Sequence, residues 1–243
     1  MLKIGILGIG NLGFSYLKAY KNLKKAKFIS VYDIDKNKLD IAGEISSNMK
    51  LTSNIDEFLS SIDIVCLCTP TYENLTLIEK ILKANKHILC SVPIATSLDE
   101  ADCVLELAKR FSSKFIAAHL LNYFSSHTQF SSILNRGKIG EVGFLRTSIG
   151  SGYPSSYKNW LDKDELGGGV ILNLGIHHFY YIISLFGPVS RVYARRTKVI
   201  EKEIKKDYSL ILVRFKNKNI VHMELSWAYP DGTPYIVKLD AFG

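Results

Sequence analysis

The fold is decided by the opening stretch Lys3-Ile4-Gly5-Ile6-Leu7-Gly8-Ile9-Gly10-Asn11-Leu12-Gly13. A short apolar strand enters three glycines spaced G-x-G-x-x-G, and a helical pattern follows to about Leu23. In such a turn the first glycine permits the tight bend, the second lets the backbone approach a pyrophosphate, and the third allows close helix–strand packing. The helix N-terminus adds free N–H groups and a favourable dipole for phosphate. The stretch therefore predicts a dinucleotide site formed by the turn residues Gly8, Ile9, Gly10, Asn11, Leu12 and Gly13.

A carboxylate stands where this kind of site uses one. Asp33 stands at the end of the second predicted strand, directly after Phe28 to Tyr32, and 20 residues after Gly13. A carboxylate at that distance accepts hydrogen bonds from the adenosine ribose hydroxyls, and its charge would repel a 2′-phosphate. The predicted cofactor is therefore NAD rather than NADP. The alternative is a structural glycine turn that binds no nucleotide.

Strand and helix patterns alternate through the first half of the chain. After the first two strands, further strands are predicted at Ile62 to Cys68, His87 to Cys90 and Lys114 to Leu120, with helical stretches between them. Repeated strand–helix units imply a parallel sheet covered by helices on both faces. The sequence thus predicts an α/β protein whose residues 1–121 form a Rossmann dinucleotide-binding domain.

The pattern changes near residue 122. A helix is predicted near Phe130 to Arg136, a strand from about Gly143 to Ser148, and a helix from the triple glycine 167–169 to about Phe186. Residues 216–219 read as a hairpin turn among four strand candidates. These strands are Arg191 to Lys198, Tyr208 to Phe215, Ile220 to Trp227 and Tyr235 to Ala241. Residues 122–243 are therefore predicted to be an α+β domain built on a mostly antiparallel sheet.

Composition narrows the class of protein. The apolar share of 47% and charged share of 22% are ordinary for a globular protein, and the net charge of +8 suits phosphate-bearing ligands. The lysines are scattered, which favours a solvated surface over a nucleic-acid site.

No apolar run reaches the roughly 18 to 20 residues of a membrane span, and the N-terminus has no signal-peptide pattern, so a cytoplasmic protein without membrane contact is expected. The four cysteines lack zinc spacing and are predicted to be buried, reduced thiols without metal.

Further motifs follow the opening turn in a fixed order. They are the Cys68-Thr69-Pro70 turn, the 84–90 segment that contains the predicted strand His87 to Cys90, the 137–141 segment Gly-Lys-Ile-Gly-Glu, Trp160 before the triple glycine, Gly175-Ile176-His177, and Ser226-Trp227. Together with the opening turn they resemble the glucose–fructose oxidoreductase, inositol dehydrogenase and MocA family along essentially the whole chain. The resemblance implies an NAD(P)-dependent oxidoreductase with a second set of cofactor contacts: Cys68, Thr69, Pro70, Ser91 and Pro93.

The departures from that family cluster at the predicted chemistry. After the strand that corresponds to His87 to Cys90, relatives carry Glu-Lys-Pro, and the lysine contacts substrate and nicotinamide ribose. This chain has Ser91-Val92-Pro93 there. Relatives carry Asp-x-Gly-x-His after the triple glycine, and the histidine accepts the substrate proton. Here that stretch runs from Asn173 to His177, so the base is kept but its carboxylate neighbour is an amide.

Other family positions also differ. Tyr180 stands where an aspartate is common, Asn122-Tyr123 where relatives have Arg-Phe, and Asn74 where histidine is frequent. The chain stops at Gly243, whereas relatives usually continue through several more elements, which puts the family interface in question. A homo-oligomer is nevertheless expected from the resemblance, since relatives associate through the outer face of the second-domain sheet.

We assign the candidate chemistry to two residues. His177 is the acid/base, because an unperturbed imidazole titrates near neutrality, and Asn173 orients it from four residues earlier on the same helical face. Asparagine brings no charge to stabilise the imidazolium, and Val92 donates no hydrogen bond, so weak activity or a shifted mechanism is expected.

Four residues are candidates for lining the substrate, and three of them also have a structural interpretation. They are Val92, His119, Tyr123 and Trp160, and a structural histidine or a packing aromatic is the competing interpretation for the last three. Tyr180-Tyr181 favours core or subunit interface. His177 and His178 are adjacent on a helix and about 100° apart, so they form no chelating pair, and no metal is predicted.

Two functions remain open. One is an NAD-dependent oxidoreductase acting on a sugar, a polyol or a related hydroxy compound, with or without a phosphate group. The other is a catalytically inactive NAD-binding sensor or partner subunit on the same scaffold, since intact cofactor residues lie beside altered catalytic ones. A cofactor-assisted lyase or hydrolase is a more distant third.

Overall fold

The structure is a computed structural model that describes residues 1–20, 27–45, 49–154, 160–161, 163–166, 168–201 and 204–243. The chain divides into two compact units, Met1–Ala118 and His119–Gly243. Gly167, and the end of the helix predicted to reach Leu23, lie outside the described residues. Within the described residues no helix combines the length and the apolar composition needed to cross a membrane.

The first unit alternates strands and helices. In chain order its elements are β1 (Lys3–Leu7), α1 (Asn11–Tyr20), β2 (Lys27–Tyr32), α2 (Lys36–Ile45), β3 (Lys50–Thr52), α3 (Ile55–Ser61), β4 (Ile64–Leu67), α4 (Asn74–Lys83), β5 (His87–Cys90), α5 (Leu98–Arg110) and β6 (Phe115–Ala117). The six strands form one sheet in the order β3-β2-β1-β4-β5-β6, and every pairing is parallel. This confirms the predicted Rossmann sheet.

The central strands are buried on both faces, as a parallel sheet covered by helices requires. On β4 the side chains of Val65 and Leu67 enter one apolar cluster, while Cys66 between them enters another. Two of the helix starts, those of α3 and α5, are capped by polar side chains. Asn54 accepts hydrogen bonds from the first turn of α3, and Ser97 accepts one from the first turn of α5.

The second unit is a mixed sheet with helices. Its elements are α6 (Ser125–Asn135), β7 (Phe144–Gly152), a π-helical turn (Ile171–Gly175), α7 (Ile176–Phe186), β8 (Val189–Glu201), β9 (Ile204–Phe215), β10 (Ile220–Tyr229) and β11 (Ile236–Phe242). The strand order is β11-β7-β10-β9-β8; β7 and β10 pair in parallel, and the other neighbours are antiparallel. The predicted mostly antiparallel sheet and the hairpin turn at 216–219 are confirmed.

In the part of the second unit that the structure describes, the apolar core lies on one face of this sheet. Alternate residues of β10, such as Val221, Met223 and Leu225, are fully buried and pack with Ile182 and Phe186 of α7. The intervening residues point to the other face, which the described residues leave open. That face includes large apolar side chains that are about half exposed, among them Tyr193 at 51% and Phe242 at 52%.

Several sequence predictions need correction in the first unit. The pattern missed β3 and α3, because three and seven residues are too few to show a period. The strand predicted from Lys114 to Leu120 covers only Phe115–Ala117, and a 3₁₀ turn follows at Leu120–Tyr123. Cys103 is exposed rather than buried, since its neighbour Val104 takes the inward position on α5.

Other corrections fall in the second unit. The helix predicted near Phe130 begins five residues earlier, at Ser125, because its inward residues in the first turns include the polar His127 and hide the apolar period. The strand predicted to end at Ser148 runs on to Gly152. The helix predicted from the triple glycine is α-helical only from Ile176, and the preceding turn is a π-helix.

Candidate functional site

The glycine turn at the end of β1 leaves open space at one place. Gly8 has φ +94°, and a Cβ there would lie 2.9 Å from the Cys68 carbonyl; a Cβ on Gly13 would lie 2.2 Å from the Gly8 carbonyl oxygen. A Cβ on Gly10 would meet no atom of the described residues within 4 Å. The first and third glycines therefore allow close packing, while the second borders the space that a pyrophosphate needs. The turn fits a dinucleotide on geometric grounds.

Asp33 lies directly beside this turn. Its carboxylate is 6% exposed and accepts hydrogen bonds from the backbone N–H of Ile9 at 2.7 Å and of Asp35 at 2.9 Å. Lys38 lies 4.0 Å from the same carboxylate. Burial raises the pKa of the nearby Glu73, and the negative charge of Asp33 raises that pKa further. A second carboxylate thus adds to the negative potential that the sequence assigned to Asp33 alone.

The loops after β4 and β5 are joined by one buried amide. Asn74, fully buried at the start of α4, accepts a hydrogen bond from the Thr69 hydroxyl at 3.0 Å and donates to the carbonyl oxygens of Pro93 at 3.2 Å and Ile94 at 3.3 Å. The peptide between Val92 and Pro93 is cis. Asn74 therefore holds together the two loops that contain the predicted cofactor contacts Cys68, Thr69, Pro70, Ser91 and Pro93.

The candidate base lies on the first turn of α7. His177 is half-buried, and burial, reinforced by the charge of His119, lowers its pKa to about 4. The imidazole is therefore neutral at physiological pH and able to accept a proton. Asn173 is half-buried on the preceding π-helical turn. The backbone between Asn173 and His177 is therefore partly π-helical, and not α-helical throughout as the sequence predicted. Single π-helical turns occur frequently at functional sites.

An aromatic stack accompanies the base. The rings of His119 and Tyr180 are parallel within 6° and their centroids lie 3.7 Å apart. Tyr180 follows His177 by three residues and is 43% exposed. Burial lowers the pKa of His119, and its Nδ1 atom is buried with no hydrogen-bond partner among the described residues. The structure thus brings together His119, His177 and Tyr180, the last of which the sequence assigned to core or interface.

The neighbouring histidine has a different environment. His178 is fully buried, its Nε2 lies 2.6 Å from the Tyr235 hydroxyl, and burial lowers its pKa to about 3. Close by, Tyr181 donates from its hydroxyl to the His127 carbonyl oxygen at 2.9 Å. Among the described residues no group of three or more potential metal ligands comes together. His178 is therefore a structural histidine of the core, beside the candidate base.

Three candidates for lining the substrate remain. Tyr123 ends the 3₁₀ turn and is 83% exposed, and Trp160 packs against the apolar core of the second unit. Val92 is half-buried before the cis peptide bond. Their assignment to substrate stays a prediction.

Sequence reasoning left two buried polar residues out of the candidate site. Asn74 was noted only as a departure from relatives, although a polar residue at an otherwise apolar position of α4 is a usable signal. Asp207 was not noted at all, because it follows two lysines and resembles a solvated turn. In the structure Asp207 is 2% exposed.

A glycine turn after β1, a carboxylate after β2 and a six-stranded parallel sheet define the dinucleotide-binding class of protein. Comparison with known families extends this to the whole chain. The model described as "Oxidoreductase family, NAD-binding Rossmann fold" matches residues 2–119, and the "GFO/IDH/MocA C-terminal domain" matches residues 127–240. The chain belongs to the GFO/IDH/MocA oxidoreductase family, as the motifs predicted.

The sequence identity to individual relatives is low. The chain is 23% identical over 223 residues to a myo-inositol 2-dehydrogenase of Thermotoga maritima (89% of this chain, 66% of the relative). It is 26% identical over 235 residues to a glucose-6-phosphate 3-dehydrogenase of Bacillus subtilis (92% and 67%). The chain thus spans about two thirds of the length of these relatives.

A solved structure shares the fold. The scyllo-inositol dehydrogenase of Lactobacillus casei, solved with bound NAD(H) and scyllo-inositol, superimposes with a TM-score of 0.85 at 20% identity, over 100% of this chain and 74% of that one.

Proposed function

We propose that this protein is an NAD-dependent oxidoreductase that oxidises or reduces a CH–OH group of a sugar, polyol or related hydroxy compound. The observation that carries the proposal is the glycine turn, whose middle glycine borders open space while its neighbours are closely packed. Family membership and the dehydrogenase names of the relatives support the reaction type. When bound, the nicotinamide supplies the acceptor or donor for hydride.

The protein's own residues would bind the cofactor and handle the proton. Gly8 to Gly13 receive the pyrophosphate, and Asp33 takes the adenosine ribose while disfavouring a 2′-phosphate. The neutral imidazole of His177 accepts the hydroxyl proton of the substrate during oxidation and returns it during reduction. With a pKa of about 4, His177 is a weak base, so turnover should be slow.

The two substitutions at the family's catalytic positions supply the test. Purified protein is first titrated with NAD and NADP by intrinsic fluorescence, and then assayed with myo-inositol, scyllo-inositol and glucose 6-phosphate. We expect NAD to bind more tightly than NADP, with slow turnover of at least one compound of this class. The Val92→Lys/Asn173→Asp double variant should turn over the same compound faster, since it restores a hydrogen-bond donor and a carboxylate.

Two results would contradict the proposal. No gain in the double variant would show that the base does not act in this geometry. Tight NAD binding without turnover of any compound, in wild type or variant, would favour the inactive sensor or partner subunit. In that case the departures at Val92 and Asn173 mark a lost activity.

Two further properties belong to this proposal. A homo-oligomer is supported by the open sheet face with its half-exposed Tyr193 and Phe242, and Tyr193→Glu should reduce the mass measured by light scattering if this face is the interface.

A cytoplasmic location is supported by four cysteines without a disulfide, and cell fractionation would test it.

A further inference from the structure

We propose that Asp207, clamped by Arg196, is a positioning residue that anchors the start of the helix carrying the candidate base His177. This inference rests on the proposed function for the role of His177, but not for the contacts themselves. Asp207 lies on β9 and Arg196 on β8, and both side chains point to the covered face of the sheet.

The first observation is the hydrogen bond at the helix start. The π-helical turn and α7 form one continuous helical segment. The Gly169 carbonyl oxygen accepts its first intrahelical bond, from the Asn173 N–H at 3.1 Å, so Val170 is the first residue of this segment. The N–H groups of a first turn have no partner within their own helix. The N–H of Val170 instead donates to Oδ2 of Asp207 at 2.8 Å, in a buried position. A carboxylate 37 residues later in the chain thus caps the helix.

The second observation is that this carboxylate is held from its other side. Nε of Arg196 donates to Oδ1 of Asp207 at 2.8 Å, and Nη2 of Arg196 donates to Oδ2. The Asp207 side chain is only 3% exposed. A bidentate arginine fixes the plane of a carboxylate as well as neutralising its charge. The acceptor for Val170 is therefore oriented as well as present.

The third observation is that the helix has little room to shift. A Cβ on Gly168 would lie 2.3 Å from the Leu161 carbonyl oxygen, and one on Gly175 would lie 2.9 Å from Leu225 of β10. Between these two tight contacts lie Val170 and the π-helical turn, and His177 follows two residues after Gly175. A movement at Val170 would therefore be transmitted to the base along a short, packed segment.

The test compares Asp207→Asn with Asp240→Asn. Asp240 also pairs with an arginine, Arg146, at 2.8 Å, but on the open face of the same sheet. We expect Asp207→Asn to speed amide hydrogen exchange at Val170 about ten- to a hundredfold, because it loses a charge-assisted bond. The pKa of His177, followed by NMR, should rise from about 4 towards its ordinary value as the helix start loosens and the imidazole becomes more hydrated. Asp240→Asn should change neither quantity.

The kinetic readout separates positioning from stability. On a substrate that the wild type turns over, Asp207→Asn should lower kcat with little change in the NAD dissociation constant, and Asp207→Glu should recover part of kcat. Unchanged exchange at Val170 and an unchanged His177 titration in a folded Asp207→Asn variant would overturn the inference.

Two further measurements keep the inference testable. If Asp207→Asn does not fold, Arg196→Lys serves as the second variant, and it should speed exchange at Val170 to a smaller degree. In the wild type, the Val170 amide must be among the protected amides; rapid exchange there would also overturn the inference. Exchange and titration need no substrate, so a failure of the proposed function would appear separately, as absent turnover.

Discussion

Each unit places a buried aspartate beside the backbone that leads into a helix. In the first, a glycine turn precedes α1, and the buried Asp33 of a neighbouring strand end accepts the N–H of Ile9 at 2.7 Å. In the second, glycines precede the π-helical turn, and the buried Asp207 of β9 accepts the N–H of Val170 at 2.8 Å. What differs is the counter-charge: Asp33 has Lys38 at 4.0 Å, whereas Asp207 is clamped by Arg196.

This difference separates a ligand site from a positioning site. A carboxylate offers about four lone-pair positions, and the backbone donors leave Asp33 with capacity for ribose hydroxyls. Asp207 uses its oxygens for Arg196 and Val170, which suits a fixed structural acceptor. On our two proposals, a buried aspartate beside a helix start serves cofactor recognition in one unit and placement of the candidate base in the other.

The largest expected effect comes from filling the first turn. Gly13→Ala would place a Cβ 2.2 Å from the Gly8 carbonyl oxygen, so we expect a loss of about 3 kcal/mol or more in the free energy of unfolding, and no NAD binding. Gly10→Ala is the control, because its Cβ meets nothing within 4 Å. It should keep the fold and weaken NAD binding only. Urea unfolding and NAD titration measure both, and equal stability of the two variants would contradict the packing argument.

The next largest effect is expected when Asp33, the carboxylate proposed to bind the ribose, loses its charge. Asp33→Asn should weaken NAD binding about tenfold, since it replaces charge-assisted hydrogen bonds to the ribose, and should narrow the preference for NAD over NADP. Asp35→Asn is a control on the same loop. Fluorescence titration with both dinucleotides measures the ratio. An unchanged ratio would show that Asp33 does not select the cofactor.

A smaller effect is expected where one amide joins two loops. Asn74→Leu leaves the carbonyl oxygens of Pro93 and Ile94 without their donor, so we expect NAD binding to weaken a few-fold and the free energy of unfolding to fall by about 1–3 kcal/mol. Asn74→His, with the residue frequent in relatives, should retain more of both. If both variants bound NAD like the wild type, the loops would not depend on this amide.

The most gradual effect is the acid sensitivity of the second unit. Burial lowers the pKa of His177 to about 4 and of His178 to about 3, whereas both protonate near pH 6.5 when unfolded. The unfolded chain therefore binds more protons below about pH 6.5. The contribution of the two neutral histidines to the free energy of unfolding is fully present above about pH 6.5 and is lost as the pH falls towards 4 and 3.

The expected slope is at most about 1.4 kcal/mol per pH unit for each histidine. Urea unfolding at several pH values measures it, and the His177→Gln/His178→Gln double variant should show a shallower slope. An identical slope in that variant would assign the acid sensitivity to other groups.

Much of the fold could be predicted from the sequence because its signals are local. The turn from Gly8 to Gly13 and the apolar strands around it specify the parallel sheet, and the 216–219 turn specifies a hairpin. The short α3 and the π-helical turn could not be predicted, since the first is too brief to show a period and the second depends on tertiary packing at Gly175.

The candidate site was predictable only in part for the same reason. Gly10, Asp33 and His177 belong to motifs, so their spacing identifies them. Asp207 acts on a residue 37 positions earlier, and the stack of His119 with Tyr180 joins residues far apart in the chain. Such long-range contacts leave no periodic trace in a single sequence.

The most direct test of the central claim follows hydrogen from substrate to cofactor. Protein loaded with NAD is mixed with a small-molecule extract of its source cells grown in deuterium oxide, and the nicotinamide is analysed by mass spectrometry. We predict that the wild type transfers carbon-bound deuterium to the nicotinamide and that His177→Ala, with unchanged NAD binding, loses most of this transfer. No deuterium on the nicotinamide of a wild-type protein that binds NAD would contradict the oxidoreductase assignment.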